Sequence, residues 1–274
     1  MQVSRVFAVY FSATGNTRKV VSTLANALAE AFAAPLETVD FTLPHGREQS
    51  YSFAPSDLVV FGTPTYAGKL PNKLLDFVKT AFVGGDALAV PVVTFGNRSF
   101  DNSLAELVSV LEGDGFHTVA AGAFAAQHAF SDSLAVGRPD QDDMAALAKL
   151  GAAVVGKVSS LTDIPVPVTV VGDAAAPYYT PRGLDGEPKV FLKAKPKTDA
   201  DKCVGCGLCA ELCPMGSIDR SDFSVVNGIC IKCHSCVKNC PAHAKFFDDP
   251  AFLSHKAMLE RDYQRRAEPQ IFTE

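Results

Sequence analysis

Along the N-terminal part of the chain, short β-rich runs take turns with longer stretches of helical period. The runs at residues 6–11, 36–41, 57–62, 87–95 and 118–124 are dominated by Val, Phe, Leu and Ala and read as buried strands. Between the first two, Val20, Val21, Leu24, Leu28 and Phe32 fall three or four apart on one helical face, and Arg18, Lys19 and Glu30 lie off it. The same spacing predicts helices over 71–80, 99–111 and 140–159. Strands alternating with helices make an α/β fold, a parallel sheet covered on both faces. Five strands in this span suit the doubly wound order 2-1-3-4-5, whose ligand crevice lies at the carboxyl ends of strands one and three.

The pattern changes at residue 163. Pro165, Pro167, Pro177, Pro181, Pro188 and Pro196 punctuate a connection that is extended rather than flexible, because proline fixes φ and lacks an amide hydrogen. Val168, Val170, Val171, Tyr178 and Tyr179 are expected to lie along the sheet domain. Further on, 218–226 predicts a short strand and 251–265 a helix with Phe252, Met258, Leu259 and Tyr263 inward. Phe272 is expected to fill a gap in the packing. The expected division is a sheet domain over 1–162, a proline-rich connection over 163–197, a small domain over 198–247 and a helical tail over 248–274.

A length of 274 residues fits one to two domains of roughly 150 residues each. The apolar fraction of 47% allows a real core, and the formal charge of −5 argues against nucleic acid as a partner. It suits docking to a basic patch on a redox protein that donates or accepts electrons. No apolar run approaches the roughly 18 residues a membrane span needs, so no membrane partner is expected. Residues 1–5 lead into a short apolar run and then polar Ser and Thr, which is not a secretory leader. Without export the thiols meet a reducing interior, and a cytoplasmic location is expected.

All eight cysteines lie in two runs, Cys203-x2-Cys206-x2-Cys209-x3-Cys213-Pro214 and Cys230-x2-Cys233-x2-Cys236-x3-Cys240-Pro241. Thiolates are soft ligands that favour zinc or iron–sulfur clusters. Structural zinc wants two separated Cys-x2-Cys pairs, and crowded disulfides would be poorly placed. Three cysteines at this spacing can wrap three corners of one [4Fe–4S] cube, while the fourth, before proline, reaches the other cube. On that rule Cys203, Cys206, Cys209 and Cys240 hold one cluster, and Cys230, Cys233, Cys236 and Cys213 hold the second. His234 and His243 sit beside ligands, where they tune hydrogen bonding rather than bind metal. The segment resembles bacterial-type ferredoxins that carry two [4Fe–4S] clusters.

The loop after the first strand reads Ser12-Ala13-Thr14-Gly15-Asn16-Thr17. Its hydroxyls and the free N–H groups of the following helix can surround a phosphate, and Gly15 lets the backbone come close. The loop resembles the phosphate loop of flavodoxins, which implies a flavodoxin-like fold and FMN. That resemblance assigns the loops after strands three and four to the isoalloxazine ring. The first supplies Pro64, Thr65, Tyr66, Ala67 and Gly68, with Tyr66 as the stacking ring and Gly68 as the site of a peptide flip. The second supplies Gly96, Asn97, Arg98, Phe100 and Asp101, with Asn97 and Arg98 offsetting charge on the reduced flavin and Phe100 either stacked or in the core. His128, after strand five, is expected to reach the flavin or its substrate side. There is no tryptophan.

The whole sequence resembles flavodoxin–ferredoxin fusion proteins. That implies a flavodoxin-like domain followed by a small α+β ferredoxin-like domain, with electrons moving between two [4Fe–4S] clusters and FMN. Two alternatives are an FMN-dependent reductase of a small substrate and a redox-sensing binding module. A homodimer that brings one subunit's cluster near the other's flavin is a further expectation.

Overall fold

The computed structural model describes residues 2–274. Five parallel strands form as the periodicity predicts: β1 (Arg5–Tyr10), β2 (Leu36–Asp40), β3 (Asp57–Pro64), β4 (Leu88–Phe95) and β5 (Ala121–Ala125). The order is β2-β1-β3-β4-β5. The central strands β3 and β4 are buried almost throughout, which explains their near-continuous apolar sequence. Residues His117–Thr118 pair separately with Leu88 and Ala89, so the predicted fifth strand is split.

One face is covered by α1 (Asn16–Phe32) and α4 (Gln141–Ser160), which bury Val20, Val21, Leu24, Leu150 and Val154 against it. The other is covered by α2 (Leu75–Ala81) and α3 (Ser103–Gly113) with an aromatic core of Phe11, Phe41, Phe61 and Phe82. Gly62 in β3 lets α1 approach: a Cβ there would lie 2.2 Å from Val21 Cγ2. Both α2 and α3 start four residues later than the pattern predicts. Residues up to Leu74 form a turn closed by Leu74 N–H on the Pro71 carbonyl, and Asp101 takes φ 43° just before α3.

The connection packs as expected at Val168, which is buried, and at Val170. Tyr178 donates its hydroxyl to the Leu70 carbonyl (2.9 Å). In the small domain, 218–226 contributes a single bridge, Ile218 to Val226, and Lys197–Thr198 pairs with Lys245–Phe246.

The C-terminal residues do more than fill a gap. Helix α5 (Pro250–Asp262) is followed by a sixth strand, β6 (Gln270–Phe272), antiparallel to β5 at the sheet edge. The small domain is therefore held at both ends by the sheet domain. The clamp on the returning chain is Asn97, itself left-handed (φ 69°) and 3% exposed. Its Nδ2 donates to the carbonyls of Tyr263 (2.6 Å) and Arg265 (2.7 Å), and its Oδ1 accepts from Ala267 N–H (3.1 Å). Buried Arg138 donates to the Ala267 carbonyl and pairs with buried Asp143. Asn97→Ala leaves the buried Ala267 N–H and the part-buried carbonyls of Tyr263 and Arg265 without their partner. It should lower stability by about 3 kcal/mol, read by anaerobic denaturant unfolding, with faster amide exchange across 263–272.

Candidate functional site

At the carboxyl end of β1, the chain turns through Ser12 to Gly15 into α1. Ser12 N–H donates to Thr42 Oγ1 (2.9 Å), and Ser12 Oγ accepts from Arg18 N–H (2.9 Å). Gly15 takes φ 89° and caps the helix. Among the described residues, nothing accepts from the N–H groups of Ala13, Thr14, Gly15, Asn16 or Thr17. Five successive free donors at a helix start are a ready cradle for a phosphate. Thr14 Oγ1 is equally unengaged, whereas the Thr17 hydroxyl faces inward and bonds Thr94 Oγ1 (2.7 Å, buried). Arg18, read in the sequence only as a solvated position, brings its guanidinium over the loop: its terminal nitrogen lies 3.9 Å from where a Gly15 Cβ would be.

The loop after β3 is a tight turn. Tyr66 and Lys69 exchange N–H···O bonds (2.8 and 3.2 Å), with Ala67 (φ 48°) and Gly68 (φ 76°) both left-handed between them. A Cβ on Gly68 would sit 2.4 Å from Asp101 Oδ2. The peptide expected to flip is held on both sides, since Ala67 O accepts from Tyr179 N–H (2.8 Å) and Gly68 O from Asn102 N–H (2.9 Å). Thr65 bonds Ser103 (2.7 Å), and Lys69 forms a buried pair with Glu106 (3.0 Å) while donating to Ala174 and Ala176 of the connection.

The loop after β4 packs against its neighbours. Gly96 lies flat on His128, where a Cβ would come within 2.3 Å of the ring. The Asn97 carboxamide grips the returning chain, so its Nδ2 and Oδ1 already have partners. Arg98 pairs with Asp101 and stacks over Tyr179 at 3.9 Å. Phe100 is in the core, 5.5 Å from Phe95, so of its two readings the core one holds. His128 Nδ1 accepts from Phe130 N–H (3.1 Å), which leaves the proton on Nε2. Burial, then the charges of His255 and Arg98, lower its pKa to about 3.

The cysteines divide between two cavities. Cys203, Cys206, Cys209 and Cys240 line the first, and Cys213, Cys230, Cys233 and Cys236 line the second. Among the described residues, no three His, Cys, Asp or Glu side chains converge as on a single ion. Four sulfurs around a void suit a cube instead. The two crossing cysteines accept N–H···S bonds from equivalent positions, Cys213 from Ser217 (3.3 Å) and Cys240 from Ala244 (3.2 Å). Cys203 and Cys206 are exposed, whereas Cys233 and Cys236 are buried. Burial pushes the Cys236 thiol up to about 12, so a bound metal is what would make it a thiolate.

The second cavity borders residues that pack on the same core as the loop after β3. Burial, and after it the charges of Cys233 and Cys230, raise the Tyr66 phenol well above its usual range. Met215 and Ile231 pack on the sheet-domain core. Arg47 donates to the Phe41 and Thr42 carbonyls (2.7 Å each) and across to Pro214 O. Lys238 donates to Ser131 O (2.7 Å) and Asp132 (2.5 Å). Phe130 bridges His128 (5.0 Å) and His234 (4.8 Å) by ring contact.

A flavodoxin domain family matches residues 7–95, and 4Fe-4S binding domain families match 196–219 and 227–245. The pyruvate synthase subunit PorD of Methanothermobacter marburgensis is 38% identical over 68 residues, 25% of this chain and 79% of that protein. The chain joins a flavodoxin-like domain to two 4Fe-4S ferredoxin motifs. The fusion carries FMN and two [4Fe–4S] clusters and is an electron-transfer flavo-iron–sulfur protein that exchanges electrons with redox partners. An archaeal flavodoxin shares 14% identity over 57% of this chain and 99% of its own, with a TM-score of 0.39. A Streptococcus pneumonia flavodoxin gives 15%, 57%, 99% and 0.39. In the fusion, no helix among the described residues is long and apolar enough to cross a membrane.

Because His128 is held neutral, its depressed pKa contributes stability that is full above the unfolded value near 6.5 and is lost as pH falls toward about 3. Lowering the pH from about 7.5 to 5.5 should remove about 1.4 kcal/mol through this group. His128→Phe should flatten the slope of unfolding free energy against pH by that amount.

Proposed function

We propose that the fusion moves electrons internally between FMN at the β1, β3 and β4 loops and the cluster held by Cys213, Cys230, Cys233 and Cys236. The other cluster, held by Cys203, Cys206, Cys209 and Cys240, is the outward port. The observation that carries this reading is the burial gradient. Cys203 and Cys206 are exposed, Cys233 and Cys236 are buried, and Tyr66 on the flavin side is close enough to the inner set for its phenol to feel their charge. FMN, when bound, stores one or two electrons, and each cluster passes them singly at low potential.

The chain's own residues then do three things. Ala13, Thr14, Gly15, Asn16 and Thr17 hold the phosphate through backbone donors, helped by the Thr14 hydroxyl, with Arg18 adding charge. Tyr66, Gly68, Gly96 and His128 form the walls near the ring, and Phe130, Met215 and Ile231 exclude water from the layer between flavin and inner cluster. Arg47 and Lys238 fix the ferredoxin lobe against the flavodoxin lobe. A single chain brings both sites together, so the circuit closes without a second subunit.

The similarity to a pyruvate synthase subunit supports a partner of the same chemical kind, a low-potential oxidoreductase or iron–sulfur protein that works in a reducing compartment. Cys233→Ser tests the route. It should halve the iron per chain, leave FMN bound, and abolish flavin reduction by a reduced two-cluster ferredoxin. Direct photoreduction of the flavin should survive. Unchanged reduction by the protein donor in a variant lacking the inner cluster would overturn the route.

A further inference from the structure

The two cysteine runs repeat one backbone with different side chains. In the first, the left-handed positions are glycines, Gly205 (φ 68°) and Gly207 (φ 78°). In the second the matching positions carry Lys232 (φ 54°) and His234 (φ 60°). A left-handed conformation strains a residue that carries a Cβ. Strain kept at two matched positions asks what each side chain does there.

Lys232 answers directly. Its Nζ donates to Cys230 O (3.1 Å) and to Leu192 O, closing the outside of the inner cavity. His234 is 5% exposed and stacks on Phe247 at 4.7 Å with 12° between the planes, with Phe252 and Phe130 around it. Its Nε2 is buried and has no partner among the described residues. An imidazole enclosed by aromatic rings cannot leave that atom unmatched without the cost of an unpaired buried polar group. The cavity it helps line is bounded by Cys213, Cys230, Cys233 and Cys236, and the acceptor that belongs there is sulfur.

We propose that His234 Nε2–H donates a hydrogen bond to a sulfur of the inner cluster and raises its reduction potential. The inference rests on the cluster assignment made above. A donor aimed at a cluster sulfur stabilises the added electron, so the potential rises. Burial alone pushes the other way, because a more negative reduced cube is harder to hold where water is excluded. At the matching position of the first run, Gly207 supplies no side-chain donor. At Gly207 a side chain would meet only the Phe223 ring, at 3.3 Å.

The test uses the full holoprotein and two variants. His234→Phe keeps an aromatic ring against Phe247 and removes the donor, whereas His234→Gln keeps an N–H. Anaerobic potentiometric titration followed by EPR reads the two midpoints, iron content is measured alongside, and protein labelled with 15N in the imidazole rings reports coupling to the clusters. With iron unchanged, His234→Phe should shift the inner midpoint downward, leave the outer one in place and remove an imidazole coupling. His234→Gln should recover part of the shift. An inner midpoint in His234→Phe equal to that of the parent would overturn the proposal. If His234→Phe loses iron, absence of an imidazole coupling at the inner cluster of the parent protein would do the same. A parent chain that binds no clusters would instead defeat the cluster assignment itself.

Discussion

The arrangement depends on the chain's return to the sheet. A ferredoxin lobe tied only by a proline-rich connection would hang from one point and could turn about it. Here Asn97 grips residues 263–267, β6 pairs with β5, and Thr169 N–H donates to the carbonyl of Glu274 (2.7 Å) beside the start of the connection. Two attachments to one rigid sheet remove the rotational freedom that a single tether leaves. Intramolecular apposition then replaces repeated bimolecular encounter, and effective concentration is set by geometry rather than by linker length.

The layer between the lobes is built from unlike parts that suit this task. Its centre is aromatic and aliphatic, with Phe130, His234, Met215 and Ile231. Its rim is polar. Arg47 and Lys238 satisfy backbone carbonyls on opposite sides, and the Ser131 hydroxyl donates to Glu260 of α5 (2.6 Å). Arg47 also carries positive charge toward Cys213, and Lys232 toward Cys230. Both lose some basicity to burial, the ordinary consequence of keeping cations near sulfur ligands in a dry setting.

Much of this was legible in the sequence, for physical reasons that also mark the limit. The strands β1, β3 and β4 are apolar runs because both faces of a parallel sheet are covered, and the cysteine spacing follows from wrapping a cube. The turn of free donors into α1 was legible from residue type and position, although Thr17 faces Thr94 and Arg18 reaches back over the loop. Long-range pairings left no local trace. Gln270, Ile271 and Phe272 are too few to announce a strand, and their partner lies at β5, far away in the chain. Asn97 reads as a flavin contact from its place after β4, but a carboxamide in a left-handed turn suits three backbone partners as well. The unequal burial of two nearly identical cysteine runs is a tertiary fact, and only Lys232 and His234 in place of Gly205 and Gly207 hinted at it.

The most direct measurement is the rate at which flavin is reduced after a light flash has reduced the clusters of the oxidised holoprotein. A doubly anchored lobe gives a rate that does not change with protein concentration or with solvent viscosity, because neither encounter nor domain rotation intervenes. A rate that rises with concentration, or falls as viscosity increases, would contradict the fixed apposition of the inner cluster and the flavin site.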